Sequence, residues 1–444
     1  MIVFSLILTF ACFVLMFLVS REYKLAILFM ATILMSLVTL PFKGVTALMV
    51  VSFGFILSEV TDYKQHWQRI RGSVILPYLV LVAVSFVLAV VTSEHLHNVN
   101  DFGYFALSEV MVKQLALVYG FLALRRKDSL APLVYVSFVA LILMTAAGIA
   151  NYIEKTSFMV DTLFQGSLTD YDYITADRFR VQATFLNPFD YGYMCVLLAL
   201  VHLYAFLQNM EGKAVLVIAQ VCCLFGVVTC NCRTVLFCYG VCALLFALCL
   251  QKEAGRKFKI VLITFAACTL LVWLFPFARK TWLSVMSIFD ASSNIRGSSL
   301  GMRILQLGTV LYYISGNWLY LFFGRGVHFF ELDLGWEDGS ALAVDSDLYG
   351  LEGIYLNLLL ERGIVGFAIY LAMMTLILVF IIRHRKYGLK LYAFGLSIFT
   401  LYILFSFMTG ELLSFMPAFY ILGYVIANQS LRERIIERRQ QCEA

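Results

Sequence analysis

The chain has 444 residues, of which 62% are apolar, 15% aromatic and 14% charged, and it carries a formal net charge of +5. That composition excludes a soluble globule, and continuous apolar runs in place of short alternating ones exclude a transmembrane barrel. The positive residues fall mainly in short loops, where membrane topology places them, so the charge calls for no nucleic-acid partner.

Apolar runs of about 17 to 21 residues recur along the chain, and a helix needs about 20 to cross a bilayer core. They predict spans near 2–19, 25–40, 44–60, 74–93, 105–124, 130–150, 188–207, 214–230, 234–250, 260–276, 364–382, 391–408 and 414–428. The fold expected is an all-α polytopic membrane protein of about 12–13 transmembrane helices. Residues 1–19 lack the basic start and small-residue cleavage site of a secretory signal and are read as a span.

Basic residues at Lys64, Arg69 and Arg71, at Arg125 to Lys127, at Lys252 to Lys259, at Arg383 to Lys386 and from Arg432 to Arg439 assign their loops to the cytoplasm. Counting back from a cytoplasmic tail puts the N terminus outside; if the first three runs make only two crossings, it lies inside and nothing downstream changes. The chain then divides into N-terminal spans (1–150), a first outer loop (151–187), central spans (188–276), a large outer segment (277–363), three last spans (364–428) and a basic tail (429–444).

Within the fifth span, Glu109 and Lys113 stand one helical turn apart, so they can pair and lower the cost of each charge in the membrane. Nine of the eleven cysteines lie between Cys195 and Cys268, mostly inside spans, where they act as small apolar residues that let helices approach. No metal-ligand or redox spacing emerges from them.

Two outer segments interrupt the bundle while every cytoplasmic connection is short, so chemistry is expected outside. The first holds Asp161, Asp170, Asp172 and Asp177 before Arg178 and Arg180. In the second, Ser299 to Tyr313 carries Met302, Ile304, Leu305, Leu307, Val310 and Leu311 mostly on one face, with Arg303 and Gln306 to the other sides. This reads as a helix lying at the membrane surface. Asn317, Gly324 and Gly326 break the pattern, leaving GRGVHFF as a tight loop with His328 in it. A further helix is expected from Leu348 to Leu360, closed by Gly363.

Arg180, Arg233 and Arg303 each stand where an apolar stretch meets the outer face. A cationic cluster there calls for an anionic partner, and planar guanidinium forks suit phosphate oxygens. Arg178 and Arg325 are substitutes for the same role. A carboxylate in a partly desolvated cleft can accept a hydroxyl proton near neutral pH, which makes Glu352 the first choice for a general base and Asp347 another. His328 can do the same work with its ordinary pKa near 6.5. Asp345 and Glu361 are neighbours in sequence.

Four patches in this order, RVQATFLNPFDYG from Arg180, TCNCRTVL around Arg233, GMRILQLGTVLYYISGNWLYLFFGRG and EGIYLNLLLERGIVG, resemble the O-antigen polymerase and O-antigen ligase superfamily of membrane glycosyltransferases. One departure is Glu352, where many members carry a histidine, followed by Gly353 in place of an asparagine; the ligase signature is incomplete. The resemblance implies a polymerase joining undecaprenyl-pyrophosphate-linked oligosaccharide repeats into O-antigen, capsule or exopolysaccharide on the outer face of a bacterial cytoplasmic membrane. Its scheme calls for no cofactor, because the leaving group is already activated, and it brings in a flippase and a chain-length regulator as partners.

Two other readings stand beside it. A ligase would move finished glycan onto lipid A core or protein. A lipid or polysaccharide transporter such as a flippase would show charges at mid-depth in a cavity.

Overall fold

The computed structural model describes residues 2–35, 45–123, 127–154, 179–185, 187–274, 279, 282, 283, 285, 286, 300–327, 329, 351, 353–408 and 413–443. Among these the chain is helical, without a strand. Its helices are α1 Ile2–Leu18, α2 Arg21–Met35, α3 Ala47–Glu59, α4 Tyr63–Arg71, α5 Ile75–Thr92, α6 Val99–Phe105, α7 Ala116–Ala123, α8 Ala131–Glu154 and α9 Pro188–Leu207. There follow α10 Lys213–Thr229, α11 Arg233–Leu250, α12 Ala254–Leu274, α13 Leu300–Ser315, α14 Trp318–Phe323, α15 Ile354–Arg383, α16 Leu389–Met408 and α17 Met416–Glu443. Between α6 and α7 the backbone widens into a π turn, Ala106–Gln114.

Every predicted span has a helix at its position. Six of them, α5, α8, α9, α11, α15 and α16, are long and apolar enough to cross a membrane, and α6 with its π turn and α7 make a seventh if that pair, bent by 47°, is one span. At the other predicted spans, α1, α2, α3 and α10 have 13 to 17 residues, α12 opens on Arg256, Lys257 and Lys259, and α17 turns polar from Asn428 onward.

α9 starts where Asn187 accepts the Phe189 N–H on its side chain and Pro188 supplies a helix-ready φ at the first position. It is the most buried of the spans, with Tyr191, Tyr193 and Tyr204 fully inside. Tyr204 stacks on Phe394 at 4.2 Å between ring centroids, and Tyr193 meets Phe405 edge-on at 4.9 Å. Without water to drive association, such packing and close backbone approach hold membrane helices together. α7 and α17 show the approach: a Cβ on Gly120 would fall on the Tyr420 carbonyl, and one on Gly423 on the Leu117 carbonyl. Cysteine does similar work at Gly226, where a Cβ would fall on Cys195 Sγ. The nine cysteines whose state is described are free.

α13 divides into two sides. Ile304, Leu305, Leu307 and Leu311 are exposed, while Gln306, Val310 and Ile314 are fully buried. The side with Arg303 and Gln306 faces protein because Arg303 has a backbone carbonyl to reach there, and the apolar side is left for lipid.

Candidate functional site

The geometry begins with two glycine turns that lock together. α15 is broken at Gly363, which takes φ 61 and ψ −165. A break there removes the helical N–H groups that the carbonyls of residues 360 and 361 would otherwise accept. The segment 324–326 supplies replacements: Arg325 N–H donates to the Leu360 carbonyl and Gly326 N–H to the Glu361 carbonyl, both at 2.9 Å. Gly324, at φ 78, lies so close that a Cβ on it would overlap the Arg362 N, and one on Gly363 would overlap the Phe322 carbonyl. Only glycine fits either place. Val327 N–H then donates to Ser93 Oγ at 2.8 Å, tying the turn to the end of α5. The Arg325 side chain is a pin in this assembly: Nε donates to the Tyr313 carbonyl at 3.0 Å and the guanidinium lies 4.0 Å from the Tyr320 ring centroid.

The locked turn sets the direction of Arg362. Its side chain is 7% exposed, donates from Nη1 to Ser85 Oγ at 3.0 Å and lies 5.8 Å from the Phe105 ring centroid. It forms part of the wall of a cavity of about 230 Å³ between α5, the π turn, α15, α16 and the start of α17. Glu109 and Lys113 line the same cavity and form the ion pair expected from their spacing. Here the π turn matters, because a widened helical turn re-aims side chains and recurs at functional sites. Glu361, Asn357 and Gln114 add further polar groups. Tyr370 and Tyr402 close one side with hydroxyls 2.6 Å apart. Three buried atoms of the wall, Arg362 Nε, Gln114 Oε1 and Asn357 Oδ1, have no hydrogen-bond partner among the described residues.

A second group of cations gathers at one end of the bundle. Arg233 opens α11 directly after Cys232, and the Val181 N–H beside Arg180 donates to the Thr229 carbonyl at 3.1 Å. Both arginines act on the Cys232 thiol, which burial and then Cys230 hold well above its ordinary pKa while the two guanidinium groups pull it down. Arg303 Nη2 donates to the Met408 carbonyl at 2.6 Å, at the last residue of α16, where a helix end welcomes a cation. α16 runs antiparallel to both α9 and α11: Cys249 meets Tyr392, and Lys390 donates to the Leu207 carbonyl. Arg180, Arg233 and Arg303 therefore emerge at the same end. Tyr402 lies six residues before Met408, so the cavity wall begins about 9 Å further into the bundle at 1.5 Å per residue.

Of the other residues singled out in the sequence, Glu352, His328, Asp347 and Arg178 lie outside the described residues, as do Asp345 and the four aspartates of the first outer segment. Gly353, beside Glu352, sits with its Cβ position 4.0 Å from Arg303 Nη1. Sequence reasoning missed Arg362, Gln114 and Asn357 as cavity groups. The signal available was the intramembrane pair Glu109 and Lys113, which marks the depth of the cavity but names none of the groups that face it. Among the described residues no cluster of His, Cys, Asp and Glu is placed to hold a metal.

Comparison with known proteins adds no relative: no family model matches this chain, and no curated protein matches it significantly.

Proposed function

We propose that this protein is a membrane glycosyltransferase that polymerises undecaprenyl-pyrophosphate-linked oligosaccharide repeats on the outer face of a bacterial cytoplasmic membrane, with about thirteen spans and the large 277–363 segment outside. The observation that carries this reading is the emergence of Arg180, Arg233 and Arg303 at one end of the bundle, above a polar cavity. The four patches that resemble the polymerase and ligase superfamily support it from the sequence.

In this reading the arginines hold the donor's pyrophosphate. A base, with Glu352, His328 and Asp347 as the candidates, takes the proton of an acceptor sugar hydroxyl. The hydroxyl oxygen attacks the donor's anomeric carbon as the carbon–oxygen bond to the lipid pyrophosphate breaks. Charge builds on the leaving pyrophosphate in the transition state, where a guanidinium that cannot lose its proton stabilises it most. Deleting the gene in the native host and sizing the lipid-linked glycan tests the proposal. Single repeats on the carrier support a polymerase, long polymers stranded on the carrier identify a ligase, and an unchanged glycan ladder refutes both.

A transporter is the second reading, because the bent span 99–123 carries the Glu109–Lys113 pair near its middle, beside a cavity. Deletion of a transporter would leave lipid-linked repeats on the cytoplasmic side, inaccessible to an outer-face label.

A further inference from the structure

The cavity beneath the arginines has a chemistry of its own. Two carboxylates, Glu109 and Glu361, and two cations, Lys113 and Arg362, line it, so their formal charges cancel and a bare anion would meet as much repulsion as attraction. What the wall leaves over is hydrogen-bonding capacity without net charge. Arg362 Nε is a buried donor, and Gln114 Oε1 and Asn357 Oδ1 are buried acceptors, each without a partner among the described residues. An unmatched buried polar group is costly in water-free surroundings. A hydroxyl group both donates and accepts, so the hydroxyls of a ring in the cavity suit the amide side chains of Gln114 and Asn357 in either orientation. Tyr370, Tyr402, Phe415 and Phe419 give the same cavity aromatic faces suited to the C–H side of a saturated ring.

We propose that this cavity is a binding subsite for one neutral, polyhydroxylated sugar ring, separate from the arginines that take the pyrophosphate. The source of the ring, an acceptor glycan, rests on the polymerase reading; the preference for a neutral ring rests on the cavity alone. Arg362, Gln114 and Asn357 are its binding groups. The Glu109–Lys113 pair and Glu361 keep the site neutral overall, which disfavours sugar acids and phosphates.

The test is saturation-transfer difference NMR on the full-length protein in detergent. The probes are the methyl glycosides of glucose, galactose, N-acetylglucosamine and rhamnose, with methyl glucuronide and methyl phosphate as charged comparators. The expected result is transfer to at least one neutral glycoside that weakens about fivefold in Asn357→Leu and in Gln114→Leu, which keep bulk and remove the acceptor. Gly308→Ala, on α13 with open space at its Cβ position, leaves that transfer unchanged. Absence of transfer to every neutral glycoside overturns the proposal by showing a cavity that takes water only. Transfer indifferent to both substitutions, or stronger for the charged comparators, overturns it equally. The polymerase reading is judged separately by the glycan ladder of the deletion strain: an intact ladder removes that reading while leaving the glycoside result in place, and a collapsed ladder without glycoside transfer removes the subsite alone.

Discussion

Two groups of buried charge in this molecule are built on opposite plans. At the junction of α2, α3 and α4, Glu59 takes Arg21 Nε and Lys24 Nζ at 2.7 Å and His66 Nε2 at 2.8 Å, and Arg21 also pairs with Asp62. That cluster nearly completes itself, leaving over one ring nitrogen, His66 Nδ1. The cavity set does not: Lys113 has Glu109, whereas the Arg362 guanidinium is met by the Ser85 hydroxyl and the Phe105 ring, both neutral. A polar cluster that satisfies itself holds helices together, and one that keeps unmatched atoms around a cavity is suited to a ligand.

The largest expected effect breaks the self-contained cluster. Glu59→Gln leaves the two cations Arg21 and Lys24 without the carboxylate between them, with side chains only 6% and 8% exposed. A loss of about 3–5 kcal/mol follows, seen as a steep fall in melting temperature in detergent and in membrane-inserted yield. If Glu59→Gln melts like wild type, the distinction between the two plans is lost.

Next comes the arginine end of the bundle. Arg233→Ala and Arg303→Ala each remove a cation from the proposed pyrophosphate site, and polymer formation in the complemented deletion strain is expected to fall by about 10²–10³. Melting temperature should move far less than in Glu59→Gln. Full polymer restored by both variants would take the arginines out of the reaction.

A smaller effect tests the lock that aims Arg362. Gly363→Ala forces an alanine to φ 61 and puts a methyl group onto the Phe322 carbonyl. With ψ −165 that backbone lies in a region essentially reserved for glycine, which alone costs alanine about 1–3 kcal/mol. The substitution is expected to lower melting temperature modestly and polymer formation more, because a displaced turn re-aims Arg362. Gly308→Ala, where a Cβ meets nothing within 4 Å, is the control.

The helices were legible in the sequence because lipid leaves the backbone few alternatives, and an apolar run of sufficient length becomes a helix. Pro188 and Asn187 even fix the first residue of α9. The breaks were less legible. Nothing in ALSEVMVKQ announces a π turn, since no proline interrupts it and its registry depends on what packs around Glu109 and Lys113. Gly363 reads as the end of one helix ahead of a span that starts at residue 364, and the backbone does break there; what the sequence does not show is the partner, a turn nearly 40 residues earlier in the chain that satisfies the carbonyls at the break. Arg362 was hidden for the same reason: its inward direction follows from that long-range contact and from no local pattern. Arg180, Arg233 and Arg303 were legible as positions at span ends, and their emergence at one end follows because α16 runs antiparallel to both α9 and α11.

The smallest stability effect belongs to Arg362 and has the sign opposite to Glu59. Arg362→Gln withdraws a charge that is 7% exposed and has no carboxylate ion-paired to it among the described residues. Desolvating such a charge is unfavourable, so its neutral replacement should leave melting temperature unchanged or raised slightly. Glutamine keeps an N–H for Ser85 but removes the buried Nε donor, so neutral glycoside binding should weaken although the fold does not. A fall in stability as deep as that of Glu59→Gln would mean that Arg362 is a structural charge whose partners are already complete, and the contrast between the two clusters would vanish.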